Sequence, residues 1–213
     1  MRNTQHSFYI IALLLSLSMI PLARADLLVN SSFEDPDLLY GGQRFNIGET
    51  IGSGWTVDSG SIQVIDSPSD GTYYPSASDG QNILFTDTDA SSISQIVTLL
   101  ASTQYRFTID LAGPLQDFNS NGAYLDIDVL QGGNTIIGGP MTFTRPVGAS
   151  WATQELLFSS TISGSYQISL TSRQDFINSL DKAVLTTAVP EPTALSLCVF
   201  GATLFTLRRR RRA

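Results

Sequence analysis

The chain of 213 residues contains a single histidine, His6, and a single cysteine, Cys198, and both lie near its ends. Residues 26–189 therefore have neither. That excludes zinc sites built on those ligands, Ser-His-Asp and Cys-His catalytic arrangements, and disulfides within that stretch. Positive charge is scarce as well: residues 26–189 carry five basic side chains against 18 acidic ones, a net charge of −13. So acidic a surface repels a phosphate backbone, and nonspecific nucleic-acid binding is excluded. Also missing is any apolar stripe of helical period between Asp26 and Val189.

What is present begins with the two ends. Arg2 precedes a charge-free run from Phe8 to Leu22, followed by Ala23-Arg24-Ala25. A charged start, a short apolar core and small residues at an A-x-A site predict a secretory signal peptide over residues 1–25, cleaved before Asp26. A retained anchor needs about 20 apolar residues, more than this run supplies. At the other end, Pro190, Glu191 and Pro192 are followed by the uncharged stretch Thr193 to Leu207, then by Arg208, Arg209, Arg210, Arg211 and Arg212. The uncharged stretch of 15 residues would make about 22 Å of helix, a short transmembrane span. The arginine cluster acts as a stop-transfer signal that stays cytoplasmic and leaves residues 26–189 outside. Proline fixes φ and disfavours helix in the residue before it, so Pro190-Glu191-Pro192 is an extended segment that a protease can grip.

Residues 189–213 resemble the PEP-CTERM sorting signal of Gram-negative bacteria, whose PEP motif, short transmembrane helix and terminal arginine cluster occur here in that order. The resemblance implies an exosortase as processing partner and a transient membrane anchor before processing. It also implies delivery to the cell surface or an extracellular polysaccharide matrix. A plain single-span anchor with a coincidental motif is the alternative. The chain is thus expected to divide into a leader at 1–25, a domain at 26–189 and a sorting tail at 190–213.

Within 26–189 the dominant pattern is period-two alternation, the mark of strands with one apolar face. Tyr105, Phe107, Ile109 and Leu111 alternate with Arg106, Thr108 and Asp110; Leu125, Ile127 and Val129 alternate with Asp126 and Asp128; Tyr166, Ile168 and Leu170 alternate with Gln167 and Ser169. Further strands are predicted at Asp26–Val29, Gly54–Val57, Ser61–Ile65, Asn82–Phe85, Ser92–Leu99, Met141–Arg145, Thr153–Phe158 and Lys182–Thr186. Turn-forming clusters such as Gly41-Gly42, Ser78-Asp79-Gly80, Gly132-Gly133-Asn134 and Gly138-Gly139-Pro140 separate them. Roughly ten short strands with such punctuation predict an all-β fold, a jelly-roll β-sandwich. Trp55 and Trp151 read as core anchors.

Several short segments recur in a telling order: Leu28-Val29-Asn30-Ser31-Ser32-Phe33-Glu34, Gly54-Trp55, Ser78-Asp79-Gly80-Gln81-Asn82-Ile83, Ile93-Ser94-Gln95, the strand from Tyr105 to Gly113, and Leu180-Asp181-Lys182-Ala183-Val184. Together they resemble the galactose-binding-like jelly roll of many carbohydrate-binding modules and bacterial surface domains. That resemblance implies a structural calcium ion, Ca²⁺, joining the opening segment to the closing strand through Glu34 and Asp181. Lys182 stands where a second acidic or amide residue is usual. The alternatives are that Glu34 and Asp181 are solvated turn-capping carboxylates, or that Lys182 supplies the positive charge itself.

Sugar binding needs exposed aromatic faces beside polar groups, and Tyr73, Tyr74 and Phe118, in predicted loops, are the candidate ligand platforms. Asp126 and Asp128, two apart on one strand, share a face at a spacing compatible with the ~5–5.5 Å of a retaining glycosidase pair. Polar alternation on any solvated sheet face looks the same. No lined cleft or apolar pocket is suggested beside them, so no catalytic residue is assigned. The expectation is an exported, non-enzymatic structural or adhesive surface protein. A carbohydrate-binding module for matrix polysaccharide is the runner-up, and a glycoside hydrolase comes third.

Overall fold

The structure is a computed structural model that describes residues 25–38, 41–66, 75–86, 90–115 and 121–188. The expected signal peptide and sorting tail, with Pro190, Glu191, Pro192 and Arg208 to Arg212, lie outside the described residues, as do Tyr73, Tyr74 and Phe118. The regular elements described are all strands: β1 (Gly42–Asn46), β2 (Thr50–Ile51), β3 (Trp55–Ser59), β4 (Ser61–Asp66), β5 (Asn82–Thr86), β6 (Ser92–Leu99), β7 (Thr103–Ala112), β8 (Ala123–Gln131), β9 (Asn134–Thr135), β10 (Met141–Arg145), β11 (Ala152–Ser160), β12 (Gly164–Ser172) and β13 (Ser179–Thr187). They form two antiparallel sheets. The first has the order β1-β4-β5-β13-β7-β11, and the second β10-β8-β12-β6-β3-β2, with β9 paired to β8.

The alternation explains the sandwich. Tyr105, Phe107, Ile109 and Leu111 of β7 turn inward and join Leu125, Ile127 and Val129 of β8 and Tyr166, Ile168 and Leu170 of β12 in one buried cluster. The second sheet keeps a mainly polar side outward, as expected of a half-buried sheet, and so does the first except over part of β4 and β5. The short strands β1, β2 and β9 carry too little alternation to be seen in sequence. Gly132 and Gly133 do form the expected turn, with φ of 58° and 82°, but pairing resumes at once in β9, where Asn134 faces Gln131. The segment expected as a strand at Asp26–Val29 is instead irregular and bends from Leu28, and it is tied to β13 by a hydrogen bond from Leu27 N–H to the Leu185 carbonyl, 2.8 Å.

The opening segment is a hub, which gives the ordered short motifs a physical meaning. Asn30 folds back on itself at φ 52°. Its side chain donates to the Asp35 carbonyl at 2.6 Å and accepts from Asp35 N–H at 2.9 Å, and its carbonyl accepts the Trp55 indole N–H at 3.3 Å. Gln95 brackets the preceding residue, accepting from Val29 N–H and donating to the Val29 carbonyl. The Ser31 carbonyl accepts from Ala183 N–H, 2.8 Å. Residues 28–34, 54–55, 93–95 and 180–184 are therefore stitched together around one segment.

Trp55 is fully buried in the main core. Trp151 is not part of that core. It packs on a small second apolar cluster of Ile65, Ile83, Phe85 and Ile177, formed where the outward positions of β4 and β5 are apolar.

Candidate functional site

Two outward faces hold the polar side chains that could do chemistry. On the first sheet, the segment 75–81 lies across the outer face as a strap. The Trp151 indole donates to the Ser76 carbonyl at 2.7 Å. Asp181 Oδ2 accepts from the backbone N–H of Ser78 at 2.7 Å and of Asp79 at 2.8 Å, and Asp181 Oδ1 accepts from Lys182 N–H at 2.7 Å. Glu34 Oε1 accepts from the N–H groups of Gln81 and Asn82, both 2.9 Å. Glu34 and Asp181, expected to share an ion, are thus brought to one turn, where they grip its two flanks.

Beneath the strap, Asp110 and Asp181 sit opposite each other on β7 and β13. Ser78 Oγ lies 2.8 Å from Asp110 Oδ2 and 3.1 Å from Asp181 Oδ2, and Thr153 Oγ1 donates to Asp110 Oδ1 at 2.6 Å. One serine proton cannot serve two carboxylates, so the pair is satisfied when one of them carries a proton. Burial drives the Asp181 carboxyl up from 3.8 to about 6, against the downward pull of the N–H groups of Asp79, Lys182 and Ser78. A bulge between Asp181 and Val184, with Lys182 at φ 51°, allows Asp181 to face the strap while Ala183 and Leu185 return to the core. Lys182 itself is exposed.

The outer face of the second sheet is open. Cross-strand register lines up Thr56, Ser94, Ser169 and Asp128 in one row and Ser92, Thr171, Asp126 and Thr142 in the next. Asp126 accepts from the Thr142 hydroxyl, Asp128 accepts from Thr135 Oγ1 at 2.6 Å, and Gln167 Nε2 donates to Ser94 Oγ at 2.8 Å. The hydroxyls of Thr56, Ser169 and Thr171 make no hydrogen bond to other described residues. At one end the Arg173 guanidinium lies 4.2 Å from the centre of the Tyr124 ring, with Phe176 at 5.3 Å. The result is a shelf of hydroxyls, carboxylates and one amide, able to give and accept several hydrogen bonds to a ligand laid across the strands. Asp126 and Asp128 share this face as their spacing implied. Each is bonded to a threonine across the sheet.

The shelf residues other than Asp126 and Asp128 were not singled out from sequence. Their only signal is that the outward positions of β6 and β12 are serine, threonine and glutamine, and which strands become neighbours is a tertiary fact. No group of three or more carboxylates, histidines or cysteines poised for a metal stands among the described residues. Glu34 Oε1 and Asp181 Oδ2 already hold N–H donors. The buried Oδ1 of Asn82 has no partner among the described residues and is an oxygen of the kind calcium takes. The donor set is therefore incomplete for a cation that requires about 6–8 oxygens.

Comparison with known proteins adds the following. The family described as HpiC1-like, HpiC1 cyclase, matches residues 27–183. No curated protein matches the chain in sequence. Among solved structures, the chain resembles TmCBM61, determined in complex with β-1,4-galactotriose, at TM-score 0.50 and 19% identity over 77% of this chain and 99% of that one. It also resembles a family 16 carbohydrate-binding module (TM-score 0.47, 14% identity, 76% and 99% of the two chains). A third is the CBM22-1 xylan-binding domain of Paenibacillus barcinonensis Xyn10C (TM-score 0.45, 16% identity, 72% and 100%). At this identity the likeness to TmCBM61 establishes the fold alone, a jelly-roll β-sandwich.

Proposed function

For this chain, which belongs to the HpiC1-like cyclase family, we propose a non-enzymatic role: an adhesive surface domain that recognises polysaccharide on the outer face of its second sheet. The observation that carries this reading is the shelf, where Thr56, Ser169 and Thr171 present hydroxyls that make no hydrogen bond to other described residues, beside Asp126 and Asp128. Sugars offer many hydroxyls that both donate and accept, and a rigid sheet holds the complementary groups at fixed spacing. A glycan array probed with the protein tests it. Binding to a polysaccharide should weaken about tenfold or more, roughly 1.4 kcal/mol per factor of ten, in Asp128→Ala and Thr171→Ala with no change in melting temperature. Absence of binding to every glycan would sink the reading.

The family's description as a cyclase favours a competing, enzymatic reading, and Asp181 is the described carboxyl best suited to hold a proton near neutrality. Asp181 is fully buried beneath Ser78 and Asp79, so as arranged it has no contact with a substrate. That burial favours a structural role.

Export and sorting complete the proposal, and they rest on the ends of the sequence. Intact mass of protein recovered from the cell surface should start at Asp26 and lack Arg208 to Arg212; recovery with the arginines attached leaves a plain anchor. Calcium at Glu34 and Asp181 is carried forward on Asn82, whose orphaned Oδ1 adjoins the turn that Glu34 holds. A melting temperature that rises with calcium, falls with chelator and loses that response in Glu34→Gln places an ion there. An identical curve in both leaves the hydrogen-bonded turn to stand alone.

A further inference from the structure

We propose that the end of the sandwich from which the chain leaves for its tail rests on a lipid bilayer, with Leu100 and Ile162 entering the headgroup region. The inference rests on the reading of Thr193 to Leu207 as a membrane span. At that end, one residue past β13, Ala188 N–H donates to the Gln104 carbonyl at 2.7 Å. The β6–β7 turn, residues 100–102, and the β11–β12 turn, residues 161–163, lie at the same end, because Thr187 pairs with Tyr105 and Ser160 with Thr103. The two turns hold each other. Ser102 N–H donates to the Ser160 carbonyl at 2.8 Å, Ala101 N–H to Ser163 Oγ at 2.8 Å, and Ser160 Oγ to the Leu100 carbonyl. Two buried tyrosines anchor them from below: Leu100 N–H donates to the Tyr105 hydroxyl at 2.8 Å, and the Tyr166 hydroxyl to the Ile162 carbonyl at 2.7 Å. On this fixed frame Leu100 is 64% exposed and Ile162 56%.

The same end is free of charge. Residues 99–105, 130–139, 159–166 and 183–188 contain no charged side chain, in a domain of net charge −13. Set back from the turns, Arg106 and Glu155 pair with each other at 3.6 Å, and the Asp26 carboxylate accepts from Leu185 N–H at 2.9 Å. The connection from β12 to β13, at the opposite end, carries Arg173 and Asp175. Exposed apolar side chains among serines and threonines suit the boundary between headgroups and acyl chains, where a bare carboxylate is costly. The remaining surface, strongly acidic, is repelled by anionic lipid and turns away from it.

Chain length selects the bilayer as the occupant of this end. The five residues from Ala188 to Thr193 reach at most about 18 Å, whereas β7 alone, with 10 residues, is about 33 Å long. The tether is shorter than the sandwich is tall, so it holds this end at the surface and not the opposite one. Two apolar side chains bind lipid weakly by themselves, but beside a span they act at high effective concentration and set orientation. Standing on this end leaves both outer faces, the shelf included, open to the medium.

The test uses the full chain with Cys198→Ser, reconstituted into phosphatidylcholine vesicles and carrying a polarity-sensitive fluorophore on one introduced cysteine. Thr161→Cys places it beside Ile162, and Gln174→Cys at the opposite end; both positions are exposed. The Thr161→Cys probe should shift to the blue and lose most of its emission to a nitroxide-labelled lipid, and the Gln174→Cys probe should do neither. Adding Leu100→Ser and Ile162→Ser should abolish both effects at Thr161→Cys, with an unchanged β circular dichroism spectrum. A chain that floats with the vesicles while both probes stay in water overturns the contact and leaves the span standing. Equal shifts at the two ends, or a shift that survives the paired serine substitutions, overturn it too. A chain that does not float with the vesicles overturns the span and the contact together.

Discussion

The two outer faces of this sandwich are built from the same kind of strand, yet they treat their aspartates in opposite ways. On the first sheet, Asp110 and Asp181 are covered by the strap and receive backbone N–H groups and hydroxyls. On the second, Asp126 and Asp128 are half-exposed and bonded only at their edges by threonines and, for Asp128, by the next N–H. An outward aspartate is thus either a structural acceptor or part of a binding surface. What crosses over it decides which.

Removing the carboxylates one face at a time gives the largest expected contrast. Asp181→Ala leaves the N–H groups of Ser78, Asp79 and Lys182 without their acceptor, and should cost roughly 3–5 kcal/mol in urea unfolding. Asp128→Ala, on the open face, should stay within about 0.5 kcal/mol. Equal losses would erase the distinction between the faces.

The pH dependence of stability sharpens it further. Asp181 has a folded pKa of about 6 against an ordinary 3.8, so the folded state holds the proton more tightly than the unfolded chain does. Its stabilising contribution is complete below the unfolded pKa and is lost as pH rises through about 6, on the order of 2–3 kcal/mol in all. Asp181→Asn should flatten that part of the profile, whereas Asp126→Asn should leave it in place. A wild-type profile that is flat between pH 4 and pH 6 would show that Asp181 titrates normally.

A smaller effect is expected at the strap's own turn. Gly80 has a φ of +67°, and a Cβ there would collide with the Glu34 carboxylate. Gly80→Ala should therefore destabilise by about 1–3 kcal/mol through strain and loss of the Glu34 hydrogen bonds. Gly138 also has positive φ, 80°, but nothing lies within reach of its missing Cβ, so Gly138→Ala should cost only about 1 kcal/mol of backbone strain. Melting the two variants side by side compares a glycine held by contact with one held by conformation alone.

Much of the fold was legible because strand periodicity is local. The strands at Ser92–Leu99 and Met141–Arg145 match β6 and β10 residue for residue. The large inward residues of β7, β8 and β12 were read from alternation, whereas buried Ala123 and Ser172 at strand ends were not. Less legible was Trp151, assigned to the core because tryptophan usually goes there; it lies instead under the strap with Ile83 and Phe85. Of the candidate site, Glu34 and Asp181 both hold the turn at 78–82, through backbone N–H donors that no side-chain motif announces. Tyr73, Tyr74 and Phe118 lie outside the described residues.

By itself, then, the amino-acid sequence determined the all-β class, the absence of histidine, thiol and disulfide chemistry from the domain, and which side of each long strand faces the core. Those follow from composition and from a two-residue period that the backbone enforces locally. The tertiary structure alone decided which outward aspartates are buried, which hydroxyls share a shelf and which strand is left as an open edge. Such outcomes depend on contacts between distant segments, as when Ser78 closes on Asp181, 103 residues away. Sheet order makes those contacts, and strand pattern does not specify sheet order.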